Sequence, residues 1–91
     1  MRFEWDAIKA AANLRKHGVS FEEASTVFYD GSAREMFDHL HSDDEDRFHL
    51  LGISENDRLL VVSHCYRSNI IVRIISARKA QPREKIRYLE R

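Results

Sequence analysis

Cysteine, proline and glycine are scarce in this 91-residue chain, which holds one, one and three of them respectively. A lone Cys65 can close no internal disulfide, so the chain is not a disulfide-stapled scaffold. Its thiol reads as a small hydrophobe in a strand, and the usage fits a reducing cytoplasm. The few glycines and Pro82 act as local punctuation, with no linker, repeat or low-complexity tract between them. Residues 1–91 therefore read as a single domain, long enough for one modest core and two packed layers. No apolar run approaches the roughly 20 residues that a membrane helix needs. Met1 runs straight into Arg2-Phe3-Glu4-Trp5-Asp6, so no secretory signal is expected either.

Net charge is missing too, because 15 Lys and Arg balance 15 Asp and Glu, but the balance hides an asymmetry. Residues 1–37 carry five basic and six acidic side chains, residues 38–57 one and seven, and residues 58–91 nine and two. The C-terminal third is the anion-seeking part, and the acidic middle is either its internal partner or a rim that repels nucleic acid. Within that third, Arg73-Ile74-Ile75-Ser76-Ala77-Arg78 is a strand-like apolar segment with a guanidinium at each end. An unpaired buried charge costs more than a strand gains, so these arginines call for a carboxylate, water or a phosphate.

Periodicity and punctuation predict an α+β domain. Phe3 and Trp5 alternate with charged residues in a short first strand, after which Asp6 caps a helix over residues 7–16 that Gly18 stops. Ser20 and Glu23 form a capping box for a second helix, with Phe21, Ala24, Val27 and Phe28 on one face. Asp30-Gly31-Ser32 breaks it, and Ala33 to Phe37 is a candidate strand. Three antiparallel strands follow at 46–53, 58–67 and 70–79, and Pro82 opens a closing helix. The expected architecture is an antiparallel sheet of four to five strands, with two N-terminal helices on one face and a C-terminal helix.

Two-residue turns at Asn56-Asp57 and Ser68-Asn69 place His49 opposite His64, and His64 opposite Arg73, in a polar row with Arg47 and Tyr66 beside it. Turns of three or five residues would reverse the facing of a strand. Such a row suits RNA cleavage without a metal, which needs a base for the ribose 2′-hydroxyl, cations for the phosphate and an acid for the leaving oxygen. His64 and His49 can exchange protons near neutral pH, and Arg73 and Arg47 can hold phosphate oxygens. Tyr66 can stack on a base, with Arg67 beside it as a further substrate contact. The alternatives are solvated histidines and an internal salt bridge for Arg73.

Other features carry less. The histidines and carboxylates of residues 38–46 match no closed metal site and read as a solvated acidic loop, so no metal or cofactor is expected. Lys16 and His17 end the first helix, where they either complement its dipole or meet substrate. Ser76 reads as a small packing residue and Tyr88 as a packing anchor.

The chain resembles the BrnT toxins of bacterial and archaeal toxin-antitoxin pairs. The likeness rests on Phe3-Glu4-Trp5-Asp6, on Lys16-His17-Gly18-Val19-Ser20-Phe21-Glu22-Glu23-Ala24, on Arg47 with Gly52, and on residues 73–78 followed by Ala80, Glu84 and Tyr88. Asp30-Gly31 stands where the family commonly has Asp-Pro. The resemblance implies a RelE-like fold and an endoribonuclease that arrests translation. It also implies an antitoxin that neutralises the toxin and represses the shared operon through a ribbon-helix-helix DNA-binding domain, in an assembly that can be built on dimers. Lys16, His17, Arg47, Arg73, Arg78 and Tyr88 match motif positions, whereas His49 and His64 rest on register alone. Register puts Arg73 on the histidine face and Arg78, as a structural arginine, on the opposite one. The rival reading is a non-catalytic module that only binds an antitoxin-like partner.

Overall fold

Local signals set the element boundaries in the computed structural model, which describes residues 1–90. After β1 (Arg2–Glu4), the Asp6 carboxylate accepts from the Ile8 N–H at 3.3 Å and starts α1 (Ala7–His17). Gly18 ends that helix in the left-handed region at φ 69°, a conformation glycine adopts without a Cβ penalty. Ser20 Oγ accepts from the Glu23 N–H at 3.0 Å and starts α2 (Phe21–Thr26), which runs into a 3₁₀ turn at Val27–Tyr29. The predicted capping box is half formed, because the Glu23 carboxylate turns instead to Arg58 Nε at 2.9 Å and Ser54 Oγ at 2.7 Å. A buried carboxylate gains more from a guanidinium and a hydroxyl than from one backbone N–H.

The remaining elements are β2 (Arg34–Phe37), β3 (Phe48–Ile53), β4 (Leu59–Tyr66), β5 (Ile71–Lys79) and α3 (Pro82–Leu89). The sheet order is β1-β5-β4-β3-β2, antiparallel except for the parallel pair β1–β5. Leu50, Leu60, Val62, Ile74 and Ala77 meet Val19, Phe21, Ala24 and Val27 on the face covered by the N-terminal helices. Fully buried side chains such as Phe21 and Leu60 contribute about 1.5–3 kcal/mol each. α3 lies on the other face, where Tyr88 packs on Leu51 and Val61, and leaves part of that face open.

Two details position the site. Beyond its pairing with β1, the outer edge of β5 is closed by a side chain: Asn13 accepts from the Ala77 N–H at 3.1 Å and donates to the Ala77 carbonyl at 2.9 Å. A second donation, to the Val19 carbonyl at 2.9 Å, ties α1 to the start of α2. This amide mimics a neighbouring strand, which satisfies an edge that would otherwise be left unpaired.

The second detail corrects the predicted register. The β3–β4 turn has three residues, Glu55 to Asp57, between Ser54 and Arg58, and Asp57 adopts φ 59°. The β4–β5 turn also has three residues, closed by the Arg67 N–H on the Ile71 carbonyl at 2.9 Å. Each odd turn reverses one facing, so β3 and β5 keep their predicted relation while β4 alone is inverted. His49 therefore lies opposite Ser63 rather than His64, and His64 opposite Ile74 rather than Arg73. A bulge then leaves Ile75 unpaired between Ile74 and Ser76, which places Arg78 on the same face as Arg73 and not on the opposite one.

Candidate active site

The open part of the sheet face carries His49, Ser63 and Ser76 in one row, with Cys65 and Arg73 in the next. Over its β2–β3 end folds the segment joining those strands, and the segment is tied down at Asp38. The Asp38 N–H donates to the Arg47 carbonyl at 2.8 Å, and Ser42 Oγ, which donates to the Asp38 carbonyl, accepts from the Arg47 N–H at 3.0 Å. Asp38 Oδ1 accepts from the Leu40 N–H at 3.0 Å, an Asx turn that aims the other carboxylate oxygen at the sheet. There Oδ2 meets His41 Nδ1 at 2.9 Å and His49 Nε2 at 3.2 Å. On its far side His49 Nδ1 meets Ser63 Oγ at 2.9 Å.

Asp38 is only 7 % exposed. Burial acts to raise its carboxyl, but hydrogen bonds from His41 and the Leu40 N–H, with His49 close by, outweigh it and hold the group below its ordinary value. Asp38, His41, Arg47, His49, Ser63, Ile75 and Ser76 line a cavity of about 220 Å³. Arg47 is half-buried, and among the described residues no carboxylate lies within salt-bridge reach of its guanidinium. A second hollow of about 250 Å³ shares Ile75 and Ser76 and is otherwise lined by Lys9, Ala12, Asn13, Lys16 and His17 of α1. The β5 bulge thus forms a ridge with imidazole, guanidinium and hydroxyl on one side and amine and imidazole on the other.

The predicted site residues are not all brought together. His49, Arg47, Lys16 and His17 border these two hollows. His64 does not, because the inverted β4 turns it into the core, where it is fully buried against Phe28 at a 4.8 Å ring-centroid separation. Its Nδ1 meets the Val62 carbonyl at 3.0 Å and its Nε2 meets Glu35 Oε2 at 2.9 Å. Tyr66 follows the same inversion, and its hydroxyl donates to Glu35 Oε2. Burial, and then the Glu35 carboxylate, push that phenol up. His64 and Tyr66 thus clamp β4 to β2. Arg67 is exposed at the β4–β5 turn.

Arg73 lies on the open face as predicted, but its Nη1 donates to Glu4 Oε2 of β1 at 2.9 Å. The internal partner is thus β1, not the acidic middle. Arg78 forms a two-pronged pair with Glu84, both contacts at 2.8 Å, and Glu84 also accepts from the Gln81 N–H at 2.7 Å at the start of α3. Arg78 chiefly, against burial, holds the Glu84 carboxyl below its ordinary value. Tyr88 is the expected packing anchor, and its hydroxyl donates to Asp30 Oδ2 at 2.7 Å. Cys65 is buried, but the inversion of β4 puts it on the face of Ser63 and not on the helix-covered one, and burial, and then Glu45, push its thiol up.

Residue order does not single out Asp38, His41 and Ser63, which line the cavity. The first two sit in a segment whose composition reads as a solvated loop, and Ser63 reads as core-facing when the turns are given two residues. The one available signal was the Asp-x-x-His spacing of Asp38 and His41 directly after a strand, an Asx-turn pattern. Among the described residues no three His, Cys, Asp or Glu side chains converge as metal ligands. None of the described helices is long and apolar enough to cross a membrane.

A small α+β domain with a partly uncovered sheet face, bearing a histidine-centred polar cavity, is thus the class this chain falls into. Residues 5–84 match the family model described as the ribonuclease toxin, BrnT, of type II toxin-antitoxin systems, and the chain belongs to that family. The matched stretch takes in Lys16, His17, Asp38, Arg47, His49, Ser63, Ser76 and Glu84 and leaves Tyr88 outside. The fold is similar to the 1.1 Å crystal structure of the Brucella abortus ribonuclease toxin, BrnT, with a TM-score of 0.68 and 23 % identity over 89 % of this chain and 97 % of that one. No curated protein matches the sequence.

Proposed function

We propose that the chain is an endoribonuclease that cleaves RNA by attack of a ribose 2′-hydroxyl on the adjacent phosphate, with side chains supplying the acid–base groups and no metal ion required. The observation that carries this reading is the cavity in which His49, held between Asp38 and Ser63, stands beside an Arg47 that has no carboxylate partner among the described residues. Such a guanidinium is matched to phosphate oxygens by its forked donors. In the reaction, His49 takes the 2′-hydroxyl proton, the 2′-oxygen bonds to phosphorus and the bond to the 5′-oxygen breaks. Arg47 stabilises the charge that develops on the phosphate. Lys16 or His17, across the Ile75–Ser76 ridge, gives a proton to the leaving 5′-oxygen. The products are a 2′,3′-cyclic phosphate and a 5′-hydroxyl. His64 takes no part, since it is buried on the other face.

In this reading the protein works in the cytoplasm, where cleavage of RNA halts translation. Its antitoxin is a ribbon-helix-helix protein, which alone brings it to operator DNA, and the two assemble on a dimeric core. Brief induction without antitoxin, followed by mapping of RNA ends, tests the chemistry. Wild type should yield cyclic-phosphate ends, and folded His49→Ala should lower cleavage by about 10²-fold or more. Equal cleavage by the two would remove His49 from the reaction. Partner binding with no cleavage at any protein concentration would identify a binding module instead.

A further inference from the structure

Both ring nitrogens of His49 are already engaged in the free protein, at Asp38 Oδ2 and at Ser63 Oγ. A carboxylate only accepts hydrogen bonds, so His41 Nδ1 carries the hydrogen it shares with Oδ2. His49 Nε2 lies 3.2 Å from the same oxygen in an ion-pair contact, where a ring lone pair would face the carboxylate's negative charge, so the hydrogen of neutral His49 is favoured on Nε2. Neutral His49 then keeps its lone pair at Nδ1, and the Ser63 hydroxyl donates to it. The Ser63 oxygen retains its own lone pairs, and the residue borders the cavity that also holds Arg47 and Ser76.

We propose that Ser63 is the group that touches the 2′-hydroxyl and carries its proton to His49, and that Asp38 is the positioning residue that fixes the His49 tautomer. This rests on the reading of the cavity as the site of RNA cleavage. In the step, the 2′-hydroxyl proton passes to Ser63 Oγ while the Ser63 hydrogen passes to His49 Nδ1. Ser63 leaves the step unchanged, His49 becomes an imidazolium, and the Asp38 carboxylate faces its Nε2–H. No bond forms to the serine, which sets this arrangement apart from a serine nucleophile.

Threonine and valine have nearly the same shape and both suit a strand, so the two replacements at Ser63 separate a hydroxyl from a methyl at equal bulk. With a short single-stranded RNA, Ser63→Thr should cleave within about tenfold of wild type and Ser63→Val should fall by about 10²-fold. Ring-nitrogen NMR of the RNA-free protein should show hydrogen on His49 Nε2 in the wild type. In Asp38→Asn, whose amide would offer N–H groups to that nitrogen, the hydrogen should move to Nδ1 and cleavage should fall by about 10²-fold or more. Equal cleavage by Ser63→Thr and Ser63→Val, with His49→Ala inactive, would overturn the relay and leave the ribonuclease reading intact. Undiminished cleavage by His49→Ala would overturn both. Hydrogen on Nδ1 in the wild type would overturn the relay with no RNA involved, and it decides the matter if Asp38→Asn fails to fold.

Discussion

Removing the Glu23 carboxylate tests how this small domain is held together away from its site. Glu23 is 5 % exposed and receives Arg58 through both Nε and Nη2, while Arg58 also donates to the Gly18 carbonyl at 3.0 Å. One ion pair thus ties the end of α1, the start of α2 and the β3–β4 turn together. Hydrogen bonds from Arg58 foremost, opposed by burial and helped by Ser54, lower the Glu23 carboxyl from its ordinary 4.5 to about 2. At ~1.4 kcal/mol per pH unit, that gap corresponds to about 3 kcal/mol of folding free energy. The folded value is the lower one, so the contribution is fully present above pH 4.5 and is lost as pH falls towards 2. Asp38 and Glu84 are also held low, so wild type has an acid slope from several sources. The informative quantity is therefore the stability difference between wild type and Glu23→Gln, measured by urea unfolding at a series of pH values. That difference should be largest at neutral pH and shrink by about 3 kcal/mol between pH 4.5 and 2. A difference that stays constant across the window would refute the reasoning, because the glutamine would then be costing packing alone.

Three further outcomes follow from single contacts. Asn13→Ala strands the Ala77 N–H and carbonyl and the Val19 carbonyl in a buried setting, and should cost about 3 kcal/mol by chemical denaturation. Gly52→Ala would put a Cβ 2.8 Å from Val27 Cγ1 and 2.9 Å from Ala33 Cβ, so the midpoint of unfolding should fall by the equivalent of about 1–3 kcal/mol. Initial rates on a short RNA should fall about 10²-fold in Arg47→Ala but less than tenfold in Arg73→Ala, because Arg73 is already paired with Glu4. The reverse ranking would move the phosphate from the cavity to the β1–β5 edge.

The order of elements, the caps at Asp6 and Ser20, the stop at Gly18 and the helix-covered core of Phe21, Ala24, Val27, Leu50 and Ile74 were all legible in residue order, because each rests on a local pattern. Part of the candidate site was legible too: Arg47 and His49 lie two residues apart around Phe48 at the start of β3, so they share a face, and the core position expected for Leu50 sets that face away from the N-terminal helices. The β4 residues were not. Residues 59–62 of that strand read Leu-Leu-Val-Val because α3 covers Leu59 and Val61 on one face while α1 and α2 cover Leu60 and Val62 on the other. A strand buried on both sides carries no alternation, so nothing in its composition says which way it faces. Its facing then depends wholly on whether its two turns hold two residues or three. Asn56-Asp57 is compatible with either, since aspartate tolerates the left-handed conformation that Asp57 adopts. The inversion exchanged His64 for Ser63 beside His49. A row of two histidines and an arginine would have carried its own base and acid, whereas a histidine set between a serine and an aspartate is a proton-carrying arrangement that needs its second cation from elsewhere. Lys16 and His17, which residue order left open as helix-capping cations or substrate contacts, stand across the Ile75 bulge from it.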